Sequence, residues 1–395
     1  MWGDIAIAFM IAFVISFMAT PHTIKLAKMI GAVDTPNDER RINKVVMPRL
    51  GGLAVILGFC ISVVYLLIVT QIEDKIHFYQ DNLIYKLIGF MLGGMIIGVT
   101  CFVDDVKGVP ALIKLLAQII AAIVCVRFGI RIDTLSIPFL NIDEAGEVFY
   151  TVLTIGWIVG ITNALNLIDG LDGLSTGISL IACVSLLIIF SLNGSPLISI
   201  ILITALGGAL LGFLPYNFNP AKTFIGDTGS NFLGYCLSII AILGIAKTYT
   251  AIVIVAPLLV LALPIFDTLS SIVRRLINGK SIKAIIEPDA KHIHHKLLKK
   301  GFTQKQAVLI LYGITASFGM FAIILMESGF WKAISFLAII VIAIAMGYKE
   351  FFKQKLLGDF DEDSETEGVK EEKDESPEEE QEEKVIEFDQ YKKIN

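Results

Sequence analysis

Charged residues are scarce in this sequence and avoid its long apolar segments. They make up 18% of the 395 residues, whereas 55% are hydrophobic and the mean hydropathy is +0.74. A soluble domain would not tolerate this composition, and apolar runs near 20 residues predict membrane-spanning helices. The first 20 residues also lack a basic leader and a clear cleavage site, so they predict a retained helix rather than a signal peptide.

Several familiar motifs are missing too. The five cysteines lie in apolar runs and no pair has metal-ligand spacing, so we interpret them as small core residues. No GKS or GKT follows the glycine-rich stretches, which argues against a Walker phosphate loop. The stretch NALNLIDGLDGLSTG is not a 12-residue loop that ends in Glu, which argues against an EF-hand.

The apolar segments predict eleven helices and an orientation. With the N-terminus outside, inward-facing loops before the C-terminal tail carry 21 Lys and Arg, and outward-facing loops carry six. Positive charge favours the cytoplasmic side, so the sequence predicts an all-α polytopic membrane protein with a cytoplasmic C-terminus. The predicted spans are 3–22, 50–70, 86–103, 110–127, 148–165, 174–192, 196–214, 231–247, 250–274, 306–326 and 330–347.

The predicted transmembrane domain covers residues 1–350, and an acidic tail covers 351–395. From Asp359 to the C-terminus there are 17 acidic and five basic residues, so the body before that point carries a net positive charge. This composition predicts a disordered, solvated tail with no catalytic role, a partner-binding role being the alternative.

Six aspartates lie at the ends of apolar segments, and the predicted topology puts them all on the cytoplasmic side. A carboxylate at the edge of hydrocarbon usually marks a functional site or a water-filled cavity. A secondary transporter would place such groups near the midplane, and a structural scaffold would leave them unexplained. The six are Asp104, Asp105, Asp169, Asp172, Asp227 and Asp267.

Asp104 and Asp105 end the third predicted helix. The dipole at a helix C-terminus disfavours anions, so two carboxylates there need a divalent cation or a basic group nearby. The alternative is a simple helix-terminal charge pair.

The stretch NALNLIDGLDGLSTG is rich in oxygen ligands. Asn163 and Asn166 are one helical turn apart, and Asp169 and Asp172 follow at the same spacing. Asn and Asp oxygens suit a hard cation such as Mg²⁺.

Asp227 lies between Gly226 and Gly229, just before the eighth predicted helix, in FIGDTGS. A glycine-rich turn that opens a helix suits a phosphate, but an acid there would repel it unless it holds a metal. We therefore predict a Mg²⁺ ligand, with a helix N-cap as the alternative.

Two basic clusters accompany these acids. Arg40, Arg41 and Lys44 precede Arg49 in the first cytoplasmic loop, where positive-inside bias alone is the alternative to an anion site. HIHH at 292–295 has lysines on both sides, which favours a pyrophosphate clamp over zinc.

Acids for Mg²⁺, cations for phosphates and a membrane body together predict phosphoryl transfer between a soluble nucleotide diphosphate and a lipid phosphate.

The motifs VDTP…PRLGG, DD, NxxNxxDGxDGL, GDTGS and HIHH, in this order over roughly residues 5–350, closely resemble the polyprenyl-phosphate N-acetylhexosamine-1-phosphate transferases. The resemblance implies ten or eleven transmembrane helices and a cytoplasmic active site in a bacterial plasma membrane. It also implies Mg²⁺-dependent transfer of a sugar-1-phosphate from a UDP-sugar to undecaprenyl phosphate, with release of UMP. HIHH resembles the branch that uses UDP-GlcNAc to start teichoic acid, O-antigen or related glycans. The alternative is the phospho-MurNAc-pentapeptide branch, which typically has three consecutive histidines.

The resemblance also implies residue roles. The partners that it implies are the bilayer and the two substrates. It leaves open whether the protein forms a homodimer, and it gives no reason to expect nucleic-acid binding. The loop sequence Arg40-Arg41-Ile42-Asn43 departs from the Arg-Lys-x-His of many relatives. The catalytic candidates are Asp104, Asp105, Asp169 and His294, and the Mg²⁺ ligands (Mn²⁺ being an alternative) are Asn166 and Asp227. The substrate-binding candidates are Arg40, Arg41, Lys44, Asn163, Gly170, Leu171, Asp172, Phe224, which stacks on uracil, His292 and His295.

Overall fold

The computed structural model describes residues 2–35, 46–73, 82–132, 146–244, 251–279 and 292–342. Contacts group the chain into Met1–Phe336 and Leu337–Asn395, and of the second unit only 337–342 are described. The predicted acidic tail and the basic residues Arg40, Arg41 and Lys44 lie outside the described residues.

Helices dominate the described chain. They are α1 Trp2–Ile30, α2 Gly51–Ile72, α3 Leu83–Lys107, α4 Ala111–Arg127, α5 Glu147–Ile168, α6 Leu174–Leu192, α7 Leu197–Asn217, α8 Gly226–Gly244, α9 Ala251–Val260, α10 Ala262–Gly279, α11 Ile293–Lys299, α12 Gln304–Ser328 and α13 Phe330–Ile342. Among these, α1, α2, α3, α5, α6, α7 and α12 are each long and apolar enough to cross a membrane. The prediction of an all-α polytopic membrane protein is confirmed, while the count of eleven spans and the orientation stay predictions.

The buried core lies where α7 and α8 meet their neighbours. Helix α7 packs against α1, α2 and α6, and α8 packs against α5, α3 and α2. Four of the five cysteines are buried in this bundle, as the sequence predicts for small core residues. The remaining one, Cys60, is half-buried.

The ninth predicted span, 250–274, is interrupted at one residue, Leu261, although the Leu261 N–H still donates to the Pro257 carbonyl at 3.0 Å and the Ile265 N–H to the Leu261 carbonyl at 3.2 Å. Helix α9 ends at Val260 and α10 begins at Ala262. Pro264 falls in the first turn of α10, where its missing N–H costs nothing, so the proline marks a helix start. Helix α10 buries Asp267 and Ser271 and exposes the apolar side chains of Phe266, Leu269, Val273 and Ile277.

A short pairing that the sequence analysis did not predict joins α1 and α2 to the approach to α8. Strand β1, Val33–Asp34, runs antiparallel to β2, Met47–Pro48. The Pro48 carbonyl accepts from the Phe224 N–H at 2.8 Å, and the Gly51 N–H donates to the Phe224 carbonyl at 3.0 Å. The PRLGG motif is therefore fixed against the segment that leads into GDTGS.

Glycine allows α1 to approach α7 closely. A Cβ added at Gly212 would lie 2.3 Å from the Phe13 carbonyl oxygen, and one at Gly208 would lie 2.4 Å from the Phe9 carbonyl oxygen. Because both neighbours are backbone atoms of a packed helix, no side-chain rotation can make room.

We expect Gly212→Ala to lower the melting temperature of the detergent-purified protein, since overpacking of this kind typically costs about 1–3 kcal/mol. Gly98→Ala is the matched control, because a Cβ there meets nothing within 4 Å. Equal melting temperatures for the two variants would contradict the close α1–α7 contact.

Candidate active site

The C-terminal end of α3 meets the N-terminal end of α8 through Asp105. Its Oδ1 accepts from the Asp227 N–H at 3.0 Å, and its Oδ2 accepts from the Thr228 N–H at 2.9 Å and the Thr228 hydroxyl at 2.6 Å. The Arg49 Nε lies 3.8 Å from Oδ1. The Asp105 side chain is fully buried, so this carboxylate holds the GDTGS turn and does not face solvent.

The start of α8 bears on the alternative for Asp227. Helix α8 begins at Gly226, so Asp227 lies in its first turn rather than at the N-cap position, and its backbone N–H donates to Asp105. Gly226 precedes it with φ +71°, and a Cβ at Gly226 would lie within 3 Å of the Asp105 carboxylate. The turn thus requires glycine and leaves the Asp227 carboxylate projecting from the first turn of α8.

Lys114 lies between the other two carboxylates. Its Nζ donates to Asp104 Oδ2 at 2.8 Å and to Asp227 Oδ2 at 2.6 Å. Asp104 Oδ1 also accepts from the Val109 N–H at 2.6 Å. The Asp227 side chain is 21% exposed and the Lys114 side chain 24%, so this group is open to ligands where Asp105 is not.

The DGLD turn follows α5 beside these acids. Asp169, which ends α5, accepts from the Ser175 hydroxyl at 2.6 Å. Burial raises its pKa to about 7, with the Asp227 and Asp105 carboxylates adding to the shift. Asp169 is thus tied to the start of α6 through the Ser175 hydroxyl.

Asp172 fixes this turn to the loop after α7. Its Oδ2 accepts from the Asn219 side chain at 2.9 Å and from the Ala221 N–H at 3.1 Å. Its Oδ1 is buried and has no partner among the described residues, so one acceptor remains for a donor. Leu171 beside it is buried, and Phe224 is half-buried across the loop.

The histidines of HIHH approach the same turn from α11. His292 Nδ1 lies 2.9 Å from Asp267 Oδ2, and Asp267 Oδ1 accepts from the Ile293 N–H at 3.0 Å. The His292 and His294 rings are stacked with centroids 5.8 Å apart, and the His295 ring lies 4.2 Å from that of His294.

His294 packs directly on the DGLD turn. A Cβ at Gly170 would lie 2.3 Å from its Nε2, so glycine makes room for the ring. Burial, reinforced by His295 and His292, lowers the pKa of His294 to about 4. At neutral pH it is therefore an uncharged imidazole, able to donate one hydrogen bond and to accept another.

The two asparagines of α5 face α4 and α8. Asn166 Nδ2 donates to the Ser230 hydroxyl at 3.1 Å, next to the GDTG turn. Asn163 Nδ2 donates to Gln118 Oε1 at 2.5 Å. The structure thus gathers the described site residues at one end of the bundle. Asn166 contacts Ser230 next to the Asp227 turn, whereas Asn163 is hydrogen-bonded to Gln118.

Two contributors, Lys114 and Gln118, were missed by the sequence analysis, and the partner of a third was not predicted. Lys114 and Gln118 lie inside the apolar span 110–127, where a cation and an amide four residues apart are themselves a signal of a polar site. Asp267 was recognised as an unusual acid, but its pairing with His292 was not.

Comparisons with known proteins identify relatives that match most of the chain. Residues 87–245 match the family model "Glycosyl transferase family 4". A Bacillus subtilis protein described as a probable undecaprenyl-phosphate N-acetylglucosaminyl 1-phosphate transferase is 39% identical over 339 residues, covering 86% of this chain and 89% of the relative. The decaprenyl-phosphate N-acetylglucosaminephosphotransferase of Mycobacterium tuberculosis H37Rv is 33% identical, covering 87% and 88%. The phospho-N-acetylmuramoyl-pentapeptide-transferase of Staphylococcus saprophyticus is 30% identical, covering 82% and 98%.

The fold and the site together define an integral membrane enzyme with a carboxylate-rich site at one end of its bundle. The extent and identity of these matches show its family: the chain belongs to glycosyl transferase family 4, the polyprenyl-phosphate N-acetylhexosamine-1-phosphate transferases. The resemblance found in the sequence motifs is therefore confirmed.

We expect Lys114→Met to lower the transferase rate by about 10²-fold or more, because it leaves Asp104 and Asp227 facing each other without their cation. Lys107→Met, at an exposed lysine in the last turn of α3, is the matched control and should retain activity. Initial rates per amount of folded protein measure the effect, and a Lys114→Met rate near that of Lys107→Met would remove Lys114 from the site.

Proposed function

We propose that this protein transfers N-acetylglucosamine-1-phosphate from UDP-GlcNAc to undecaprenyl phosphate at the cytoplasmic membrane face and releases UMP. The observation that carries the proposal is the convergence of Asp104, Asp227 and Lys114 at the end of a membrane bundle, beside the buried Asp105. The names of the two N-acetylglucosamine-using relatives support the donor sugar. The product would begin a surface glycan of the teichoic acid or O-antigen type.

The donor set fits a hard divalent cation. Two carboxylates already converge on one positive charge, the Lys114 ammonium, with oxygen-to-nitrogen distances of 2.6 and 2.8 Å. Carboxylate and amide oxygens are what Mg²⁺ prefers, and Asp227 with Asn166 would hold it. A bound Mg²⁺ would neutralise the diphosphate and the leaving phosphate.

The remaining groups have separate tasks in this proposal. Asp105 holds the turn that carries Asp227, while Asp104 orients the Lys114 ammonium, which would face the phosphates. The DGLD turn, through Asp172 Oδ1 and the backbone at 170–171, would receive uracil. His294, uncharged at neutral pH, would donate a hydrogen bond to the diphosphate, while His292 is held in orientation by Asp267.

Direct attack by the lipid phosphate is the favoured route. A phosphate monoester, with a second pKa near 6, is already anionic at neutral pH and needs no carboxylate to become nucleophilic. Its oxygen would form a bond to the β-phosphorus while the bond from that phosphorus to the bridging oxygen breaks, and UMP leaves with the bridging oxygen. An aspartate nucleophile would approach the same doubly charged diphosphate, so repulsion opposes both routes, and it would add a covalent phospho-enzyme step.

The reaction is tested by incubating the purified protein in detergent with undecaprenyl phosphate, Mg²⁺ and a panel of UDP-sugars. We expect UMP release with UDP-GlcNAc and a sugar-linked lipid product. UDP-MurNAc-pentapeptide tests the alternative specificity. UMP release with that donor alone would replace the proposed substrate, and no release with any donor would refute the proposed reaction.

For the metal, we expect Asp227→Asn to abolish turnover at ordinary Mg²⁺ concentrations and to raise the concentration required, because a neutral amide is a poorer ligand for a hard cation. Glu327→Gln, at an exposed acid near the end of α12, is the control. Near-normal turnover of Asp227→Asn at low Mg²⁺ would remove Asp227 from the metal site.

The two routes are distinguished by isotope exchange. Direct transfer predicts that delipidated enzyme does not exchange labelled UMP into UDP-GlcNAc, and that configuration at a chiral β-phosphorus is inverted. A covalent aspartyl intermediate predicts lipid-independent exchange and retention. Robust exchange that disappears in Asp104→Asn would overturn direct attack.

A further inference from the structure

Three amide side chains from three helices form a continuous chain beneath the carboxylates. Asn163 on α5 donates to Gln118 on α4 at 2.5 Å, and Gln118 donates to Asn231 on α8 at 2.8 Å. Asn231 then donates to the backbone carbonyl of Asp227 at 2.9 Å. Gln118 and Asn231 are buried, so a broken link would leave an unpaired amide inside the bundle, which is destabilising.

The donor-to-acceptor direction of the hydrogen bonds along these three amides is fixed at both ends. The carbonyls of Val159 and Asp227 can only accept, so the NH₂ groups of Asn163 and Asn231 must point at them. Asn231 then presents its oxygen to the Gln118 NH₂ group, and Gln118 presents its oxygen to Asn163. A single arrangement therefore satisfies all three amides.

Gln118 is placed to control both members of the Lys114–Asp227 ion pair. It follows Lys114 by one helical turn, so the two side chains share a face of α4. Holding Gln118 fixes the rotation of α4 that directs Lys114 between Asp104 and Asp227. Asn231 follows Asp227 by one turn of α8 and holds the Asp227 carbonyl.

We propose that Gln118 is a positioning residue for the transfer reaction. Its amide connects Asn163 to Asn231 and thereby aligns the Lys114 ammonium with the Asp227 carboxylate. The proposal rests on the proposed function for its kinetic consequence, but its structural consequence is independent of that function.

The kinetic test uses Gln118→Glu and Gln118→Met. Ionised Glu keeps the shape of Gln but cannot donate to Asn231, and Met removes the polar group at similar length. Because misplacing a catalytic pair slows the chemical step more than it weakens binding at the uracil turn, we expect kcat to fall about tenfold or more. KM for UDP-GlcNAc should stay within about twofold.

Thr315→Val is the matched control. It also removes a buried hydrogen bond, but one made within its own helix to the Leu311 carbonyl. Its kcat should stay at the wild-type value. Wild-type kcat in both Gln118 variants would overturn the proposal, and so would a loss of activity that only follows the loss of folded protein in a melting experiment.

A second measurement does not depend on turnover. The thiol introduced by Lys114→Cys is alkylated with a water-soluble maleimide, with and without Gln118→Met, and modification at position 114 is read by mass spectrometry. We expect the alkylation rate to change about threefold or more when Gln118→Met removes the amide link of α4. A threefold change corresponds to a shift of under 1 kcal/mol in the free energy of local opening. Equal rates would overturn the positioning role. The two claims can fail separately. If the wild type releases no UMP but the alkylation rates at position 114 still differ, the proposed function is refuted and the positioning role is supported.

Discussion

The buried Asp105 accepts hydrogen bonds from two backbone N–H groups of α8, and the rest of the site depends on this contact. The first turn of any helix has N–H groups without partners inside the helix. Here they are satisfied by a carboxylate from the C-terminal end of α3, 122 residues away in sequence. The negative charge is disfavoured by the dipole of its own helix and favoured by that of α8, so the two helix ends stabilise each other through one side chain.

Because of that contact, the three neighbouring acids have different roles. Asp105 has both oxygens engaged and is fully buried, whereas Asp104 and Asp227 share an ammonium near the surface. Acids in a low-dielectric bundle repel one another strongly, so such a cluster needs nearby cations or hydrogen-bond donors. Backbone N–H dipoles compensate Asp105, whereas Lys114 supplies one positive charge for the other two carboxylates, which leaves them with a net negative charge. The charge available to a ligand is consequently concentrated at Asp104 and Asp227.

The sequence predicted the helical membrane fold and singled out the acids that the structure gathers at one end of the bundle, for reasons that can be read in particular residues. Apolar run length marks spans, and an acid at the end of a span such as Asp227 stands out because it is costly there. Lys114 and Gln118 were missed because their partners, Asp227 and Asn231, are 113 residues away and no local pattern encodes the contact. The break between α9 and α10 was missed because a proline inside an apolar run is equally compatible with a continuous membrane helix.

The structure also explains why polar side chains recur inside otherwise apolar helices near this end. An amide in a membrane bundle needs partners on several helices, and once paired it fixes how those helices are rotated about their axes. Apolar packing alone tolerates small rotations, because Leu and Ile surfaces are similar all around a helix. Gln118 removes that tolerance for α4, and Asn231 does so for α8. A site that must keep an ammonium within 2.8 Å of two carboxylates on different helices requires such a constraint. The buried amides thus set the geometry with which the exposed charges meet their ligands.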